Sequence, residues 1–144
     1  MDEKIKEKID NLLENQRFAV IATQDKNSPY TNLVTFLASN DYKKIFFPTN
    51  KNTKKFENIS SNSKISVLID NRGNKAEDIK NAMALTAVGI TTEIKDGNII
   101  KSFIKKHPYL LDFINSKDCV MMEIDIERYV LVDNFQNVSI INFK

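Results

Sequence analysis

In 144 residues the chain has one cysteine, one histidine, three glycines and three prolines. A lone Cys119 cannot close an internal disulfide, and inside the apolar run Cys119-Val-Met-Met it is expected to be a buried structural thiol. A lone His107 excludes a multi-histidine metal site, and no cysteine cluster offers another. A Ser-His-Asp triad would have to use His107, yet nothing like a nucleophile elbow is present to partner it. In Lys-Lys-His-Pro, His107 is expected to end a helix before Pro108, where an imidazolium suits the dipole. The scarcity of glycine and proline excludes low-complexity linkers, and the glycine-rich dinucleotide fingerprint is missing. No apolar run approaches membrane-spanning length. The charged start, Met1 to Ile9, lacks the apolar stretch of a signal peptide, so the cytoplasm is the expected compartment. Arginine-rich patches are missing too, and a net charge of +2 is too small to imply nucleic acid.

What is present is ordinary in amount: 42% apolar and 28% charged residues, enough for one globular domain spanning 1–144 with a real core. Residues 2–15 have the helical spacing Ile5, Ile9, Leu12, Leu13. Strands are expected at Phe18–Thr23, Tyr30–Ala38, Ile45–Phe47, Lys64–Asp70 and Ala82–Lys95, with Gly89 marking a bend or bulge. In the second strand Leu33, Thr35 and Leu37 face one way; Tyr30, Asn32, Val34 and Phe36 face the other. Residues 71–80 read as a polar, mobile loop. Asp96-Gly97 opens a helix to Lys106, and a short helix follows Pro108. Val120–Ile126, Tyr129–Asp133 and Val138–Phe143 close the chain as strands. Many short strands with turns between them, and no alternation of strand and helix, predict an antiparallel barrel or sandwich covered by helices.

The most informative stretch is Ile45 to Asp70: strand, polar turn, short helix over 53–61, strand. Lys51, Lys54 and Lys55 crowd the helix start, where the dipole is already positive, and the first acid inside is Glu57. A free-standing helix would fray there. An anion resolves the conflict: first-turn N–H groups, the hydroxyls of Thr49 and Thr53 and the lysine ammonium groups together suit a phosphate. The plain alternative is a solvated lysine cluster.

The order of these pieces resembles the pyridoxamine 5′-phosphate oxidase-like family of FMN-binding split barrels, in its small single-domain branch. The resemblance covers essentially the whole chain. It rests on Phe18-Ala-Val-Ile-Ala-Thr23, Ser28-Pro29-Tyr30, Asn32-Leu-Val-Thr-Phe36, Phe47-Pro-Thr-Asn-Lys-Asn-Thr-Lys-Lys55, Asn58-Ile59, Ile65 to Asp70, Ala84 to Gly89, Lys106-His-Pro108 and the closing hairpin. It implies a mainly β, Greek-key antiparallel split barrel. It also implies a homodimer with FMN in the groove between two barrels. Thr49, Thr53, Lys54 and Lys55 match the family's phosphate-binding positions, and Pro48 a position lining the cofactor. Asn32, Leu33, Val34 and Thr35 match the strand beside the flavin ring, where backbone groups can bond the pyrimidine edge and tune the ring's redox states. Taken without the family, those four are an ordinary core strand.

Departures narrow the expectation. In the oxidase proper an arginine matches Asn32, a lysine Leu37 and a flavin-contacting glutamine Ala84; the C-terminal Arg-x-His segment is missing. Oxidation of pyridoxine phosphates is therefore not expected. Asn134-Phe135-Gln136 stands where small relatives carry a Gly-Phe-Gly-like turn, with less backbone freedom. The resemblance implies an FMN-dependent oxidoreductase or flavin reductase-like protein passing electrons between a small-molecule donor and acceptor. The alternatives are a non-catalytic flavin-binding stress, storage or sensing protein, a haem binder using His107, or a deazaflavin protein. Tyr30 and Tyr129 are acid–base candidates by residue type only.

Overall fold

The computed structural model describes residues 2–144. The chain runs α1 (Glu3–Asn15), β1 (Phe18–Asp25), β2 (Ser28–Thr35), β3 (Leu37–Ala38), β4 (Lys44–Asn50), α2 (Lys54–Ser61), β5 (Lys64–Asp70), α3 (Asp78–Asn81), β6 (Ala84–Ile94) and α4 (Gly97–Lys106). A 3-10 turn (Pro108–Leu110), α5 (Leu111–Ile114), β7 (Cys119–Asp133) and β8 (Asn137–Asn142) complete it. The strands form one sheet in the order β2-β1-β5-β6-β7-β4-β3, with β8 also on β7, and every pairing is antiparallel.

β2 and β3 occupy opposite ends of that order, yet only Phe36 separates them in the chain. The sheet therefore closes on itself at Phe36 and stands open above it, which makes a split barrel. The predicted single strand 30–38 is broken at this point. Phe36 is fully buried, its N–H donates to the Arg17 carbonyl at 3.3 Å, and its carbonyl accepts from His107 Nε2 at 2.9 Å. The two faces alternate as the sequence predicts: Val34 is buried and Leu33 is 62% exposed.

The two strands expected at 120–126 and 129–133 are one continuous β7. The polar pair Glu127-Arg128 forms a bulge rather than a turn. Gly89 pairs with Ile126 and Val88 with Arg128, so Glu127 is the extra residue. The insertion shifts the side-chain alternation, and Ile126 and Tyr129 can both face the core. Gly89 is the other half of the device: a Cβ there would lie 2.2 Å from the Asp125 carbonyl oxygen. The loop expected over 71–80 ends in α3.

His107 departs from expectation. It caps α4 but is fully buried, and burial lowers its pKa, with Lys106 and Arg17 adding to the effect. Burial therefore favours the neutral ring over the imidazolium. A carbonyl only accepts, so Nε2 carries the proton toward Phe36, and Nδ1 takes the Tyr109 hydroxyl at 3.2 Å. His107 locks the kink that closes the barrel. Cys119 is half-buried, with its thiol pKa raised by burial.

Candidate functional site

β4 delivers Pro48 and Thr49, both buried, to the open end of the barrel. The turn after it is built by side chains: Asn50 Oδ1 accepts from the Asn52 N–H at 2.8 Å, and the Asn50 carbonyl accepts from Thr53 Oγ1 at 2.9 Å. Thr53 has extended backbone and caps α2, its hydroxyl accepting from the Phe56 N–H at 3.3 Å. The first-turn N–H groups, including those of Lys54 and Lys55, have no intrahelical partner by construction.

The two lysines of that turn diverge. Lys54 is half-exposed, 3.2 Å from Asp25 and 3.6 Å from Glu57. Its pKa is raised, chiefly by the hydrogen bond to Asp25. Part of the charge conflict read from the sequence is thus relieved by a carboxylate at the end of β1. Lys55 is only 8% exposed. Its ammonium donates to Thr49 Oγ1 at 2.8 Å, and that oxygen lies 3.3 Å from Thr53 Oγ1. Among the described residues the ion pairs are made by Lys8, Lys44, Lys54, Arg72 and Lys144; Lys55 is in none. Burial is the main cause of its lowered pKa. An ammonium has three N–H donors, and burying one without a counter-charge is costly. The cluster Lys55, Thr49, Thr53 has the composition of a receptor for a small anion.

Three residues of this cluster were missed from the sequence. Asn58 and Thr23 are both buried and joined by an Asn58 Nδ2 to Thr23 Oγ1 hydrogen bond of 3.1 Å, which anchors α2 on β1. Lys55, Asn58 and Ile59 are the buried face of α2, and their i, i+3, i+4 spacing was the available signal. Cys119 pairs with Asn50 across β4 and β7, close enough for the Lys55 charge to act on its thiol. Nothing local in the sequence announces that proximity.

The two groups of predicted residues lie on β2 and on β4 with the turn and helix after it. β3 pairs with β4 as Leu37↔Phe46 and Ala38↔Ile45. Among the described residues β2, one residue before β3, pairs with β1 and not with β4. β2 is terminal in the sheet order, so alternate backbone N–H and C=O groups of Asn32–Thr35 have no ladder partner. Asn32 Oδ1 is buried without a hydrogen-bond partner. Lys54 sits apart, turned toward Asp25. Tyr129 is removed as an acid–base candidate: it is fully buried, its hydroxyl donates to the Tyr42 carbonyl at 2.6 Å, and burial raises its pKa. The arrangement can hold an anion beside an exposed strand edge.

A family model described as pyridoxamine 5′-phosphate oxidase matches residues 5–134. No curated protein matches the chain by sequence. Among solved structures, General Stress Protein 26 from Bacillus anthracis is similar at TM-score 0.75 and 18% identity, over 96% of this chain and 98% of that one. A haem-binding protein from Mycobacterium smegmatis is similar at TM-score 0.79 and 10% identity, over 92% of this chain and 55% of that one. An FAD-binding protein from Mesorhizobium loti is similar at TM-score 0.65 and 19% identity, over 86% and 91%. At these identities the likenesses establish the fold.

Proposed function

Because the chain belongs to the pyridoxamine 5′-phosphate oxidase family, we propose that it is an FMN-binding flavoprotein, an FMN-dependent oxidoreductase of flavin-reductase type acting on a small substrate. The observation that carries this reading is Lys55: a buried ammonium on Thr49, beside Thr53, with no carboxylate to answer it. In this reading Lys55, both threonine hydroxyls and the α2 N-terminus hold the phosphate, with Lys54 adding long-range charge. Pro48 walls the groove. The free edge of Asn32–Thr35 bonds the pyrimidine end of the ring, and the orphaned Asn32 Oδ1 complements a ring N–H. When bound, the flavin supplies the electron-transfer chemistry, and the protein supplies position, electrostatics and exclusion of water.

A second copy of the chain completes the groove. Apolar side chains are exposed along β1–β2, with Phe18 at 51% and Leu33 at 62%, and on β8, with Val138 at 56% and Ile140 at 61%. Such surface favours a homodimer. Asn32 and Leu37 place no positive charge where the oxidase proper has it, so pyridoxine phosphates are not the substrates of this reading. Haem is a weaker fit, since the one histidine is fully buried with both ring nitrogens engaged.

The test has two stages. FMN titration of wild type and Lys55→Met, followed by flavin absorbance, examines the site. Anaerobic reduction of the bound flavin by NADH, NADPH and other donors then examines catalysis. Tight FMN with no reduction by any donor would replace the oxidoreductase by a non-catalytic flavin-binding stress or sensing protein.

A further inference from the structure

A cavity of about 260 Å³ lies between α1, β3 with its following turn, and the end of α4. It shares no residue with the Thr49–Lys55 cluster. Leu13, Leu37 and Ala38 give it an apolar floor, Asp10 and Glu14 an acidic rim, and Lys106 one wall. Lys106 is partly buried and forms none of the ion pairs among the described residues. Its Nζ donates to the Leu13 carbonyl at 3.1 Å and stands 4.1 Å from the centroid of the Phe36 ring. These two contacts hold the nitrogen between the backbone of α1, whose Leu13 also lines the cavity, and the Phe36 ring, instead of leaving it on a free tether. The groups around it are Asp10, Glu14 and Arg17 from α1 and its end, Tyr42 from the turn before β4, and neighbouring His107. Burial, then the Arg17 charge, lowers the Lys106 pKa to about 8, with Glu14 opposing.

We propose that Lys106 is a covalent modification site, a positioned amine that condenses with small uncharged aldehydes admitted to this cavity. The unprotonated amine attacks the carbonyl carbon, a C–N bond forms, and the nitrogen proton passes to oxygen to give a carbinolamine. Loss of water leaves the imine. Desolvated lysines are suited to this chemistry because they keep a free electron pair near neutral pH. The cavity admits a molecule of a few heavy atoms, and Asp10 and Glu14 at its rim disfavour carboxylate-bearing carbonyl compounds such as keto acids.

The experiment uses the full-length protein as purified, at pH 7.5, with glycolaldehyde or glyoxylate as probe. Borohydride reduces each imine to a stable secondary amine, and peptide mass spectrometry reports the extent at every lysine. At that pH a group of pKa near 8 is unprotonated about two-hundredfold more often than an ordinary lysine, and its lower basicity gives back about ten- to twentyfold of that. The expected result is that glycolaldehyde labels Lys106 roughly tenfold faster than the median lysine, with a rate midpoint near pH 8. Glyoxylate should label it more slowly than glycolaldehyde does, and the preference for Lys106 should vanish in urea. Lys106→Arg should remove that label and leave the others unchanged. Uniform labelling in the native protein, or the same preference in urea, would overturn the proposal. Glyoxylate labelling Lys106 as fast as glycolaldehyde would overturn the assigned ligand class.

Discussion

Lys55 and Lys54 are adjacent in sequence and opposite in circumstance. Lys54 is half-exposed and answered by Asp25; Lys55 is buried and, among the described residues, answered only by a hydroxyl. Replacing Lys55 by Met removes a desolvated charge and keeps the stem's packing, so the FMN-free protein should become more stable, read as a higher urea midpoint. The pH dependence follows. The folded pKa of Lys55 is below 10.5, so between the two values the unfolded chain holds the extra proton. Stability of the FMN-free protein should therefore rise with pH as 10.5 is approached, and by less in Lys55→Met. An identical pH profile in both proteins would deny that Lys55 is buried as a cation. His107 obeys the same sign at lower pH. It is held below 6.5 in the folded state, so stability should fall as pH drops through and below 6.5. His107→Gln, which keeps an N–H for the Phe36 carbonyl, should flatten that acid limb in urea titrations. An unchanged limb would place the acid sensitivity elsewhere.

At the scale of elements, periodicity predicted what periodicity controls. α1, α2, β5 and β6 form where their spacing placed them, and the Thr53 cap is local chemistry. The failures are tertiary. Nothing near Phe36 signals a break, because the break is held by Arg17 and His107 from distant parts of the chain. Glu127-Arg128 looks like a turn, but its partner is Gly89, whose missing Cβ lets β7 pass close and carry a bulge. For the same reason the phosphate-type cluster was legible at Thr49, Thr53 and Lys55, and Asn58 could have been read from its helical spacing to Lys55, whereas Thr23 and Cys119 join it only through the fold. Gly89→Ala tests the bulge. Its methyl would collide with backbone, which cannot move as a side-chain tip can, so a loss of about 2 kcal/mol or more is expected in urea denaturation. A neutral substitution would mean that β6 and β7 have slack at this point. Asn134, Phe135 and Gln136 all hold positive φ, at 44°, 54° and 71°. The closing hairpin thus keeps a left-handed turn without any glycine.

Across the whole molecule, a receptor suited to an anion stands at the start of α2, β2 has a free edge, and apolar side chains are exposed on β1, β2 and β8. Among the described residues no helix is long and apolar enough to cross a membrane. The dimer in this account depends on surface such as Leu33, exposed at 62% beside the groove. Leu33→Asp should shift sedimentation from dimer to monomer and lower FMN retention together. A variant that stays dimeric and flavin-loaded would move the interface away from β2. If Lys55 is the counter-charge of a bound phosphate, its removal must weaken FMN binding more than removal of Lys54 does. FMN is added to wild type, Lys54→Ala and Lys55→Met, excess is removed, and bound flavin is measured by visible absorbance and fluorescence quenching. The account predicts about one FMN per chain in wild type, a small loss in Lys54→Ala, and a 10- to 100-fold weaker affinity in Lys55→Met, the scale of about 1.5–3 kcal/mol for charge-assisted hydrogen bonds. Lys55→Met binding FMN as tightly as wild type would contradict it.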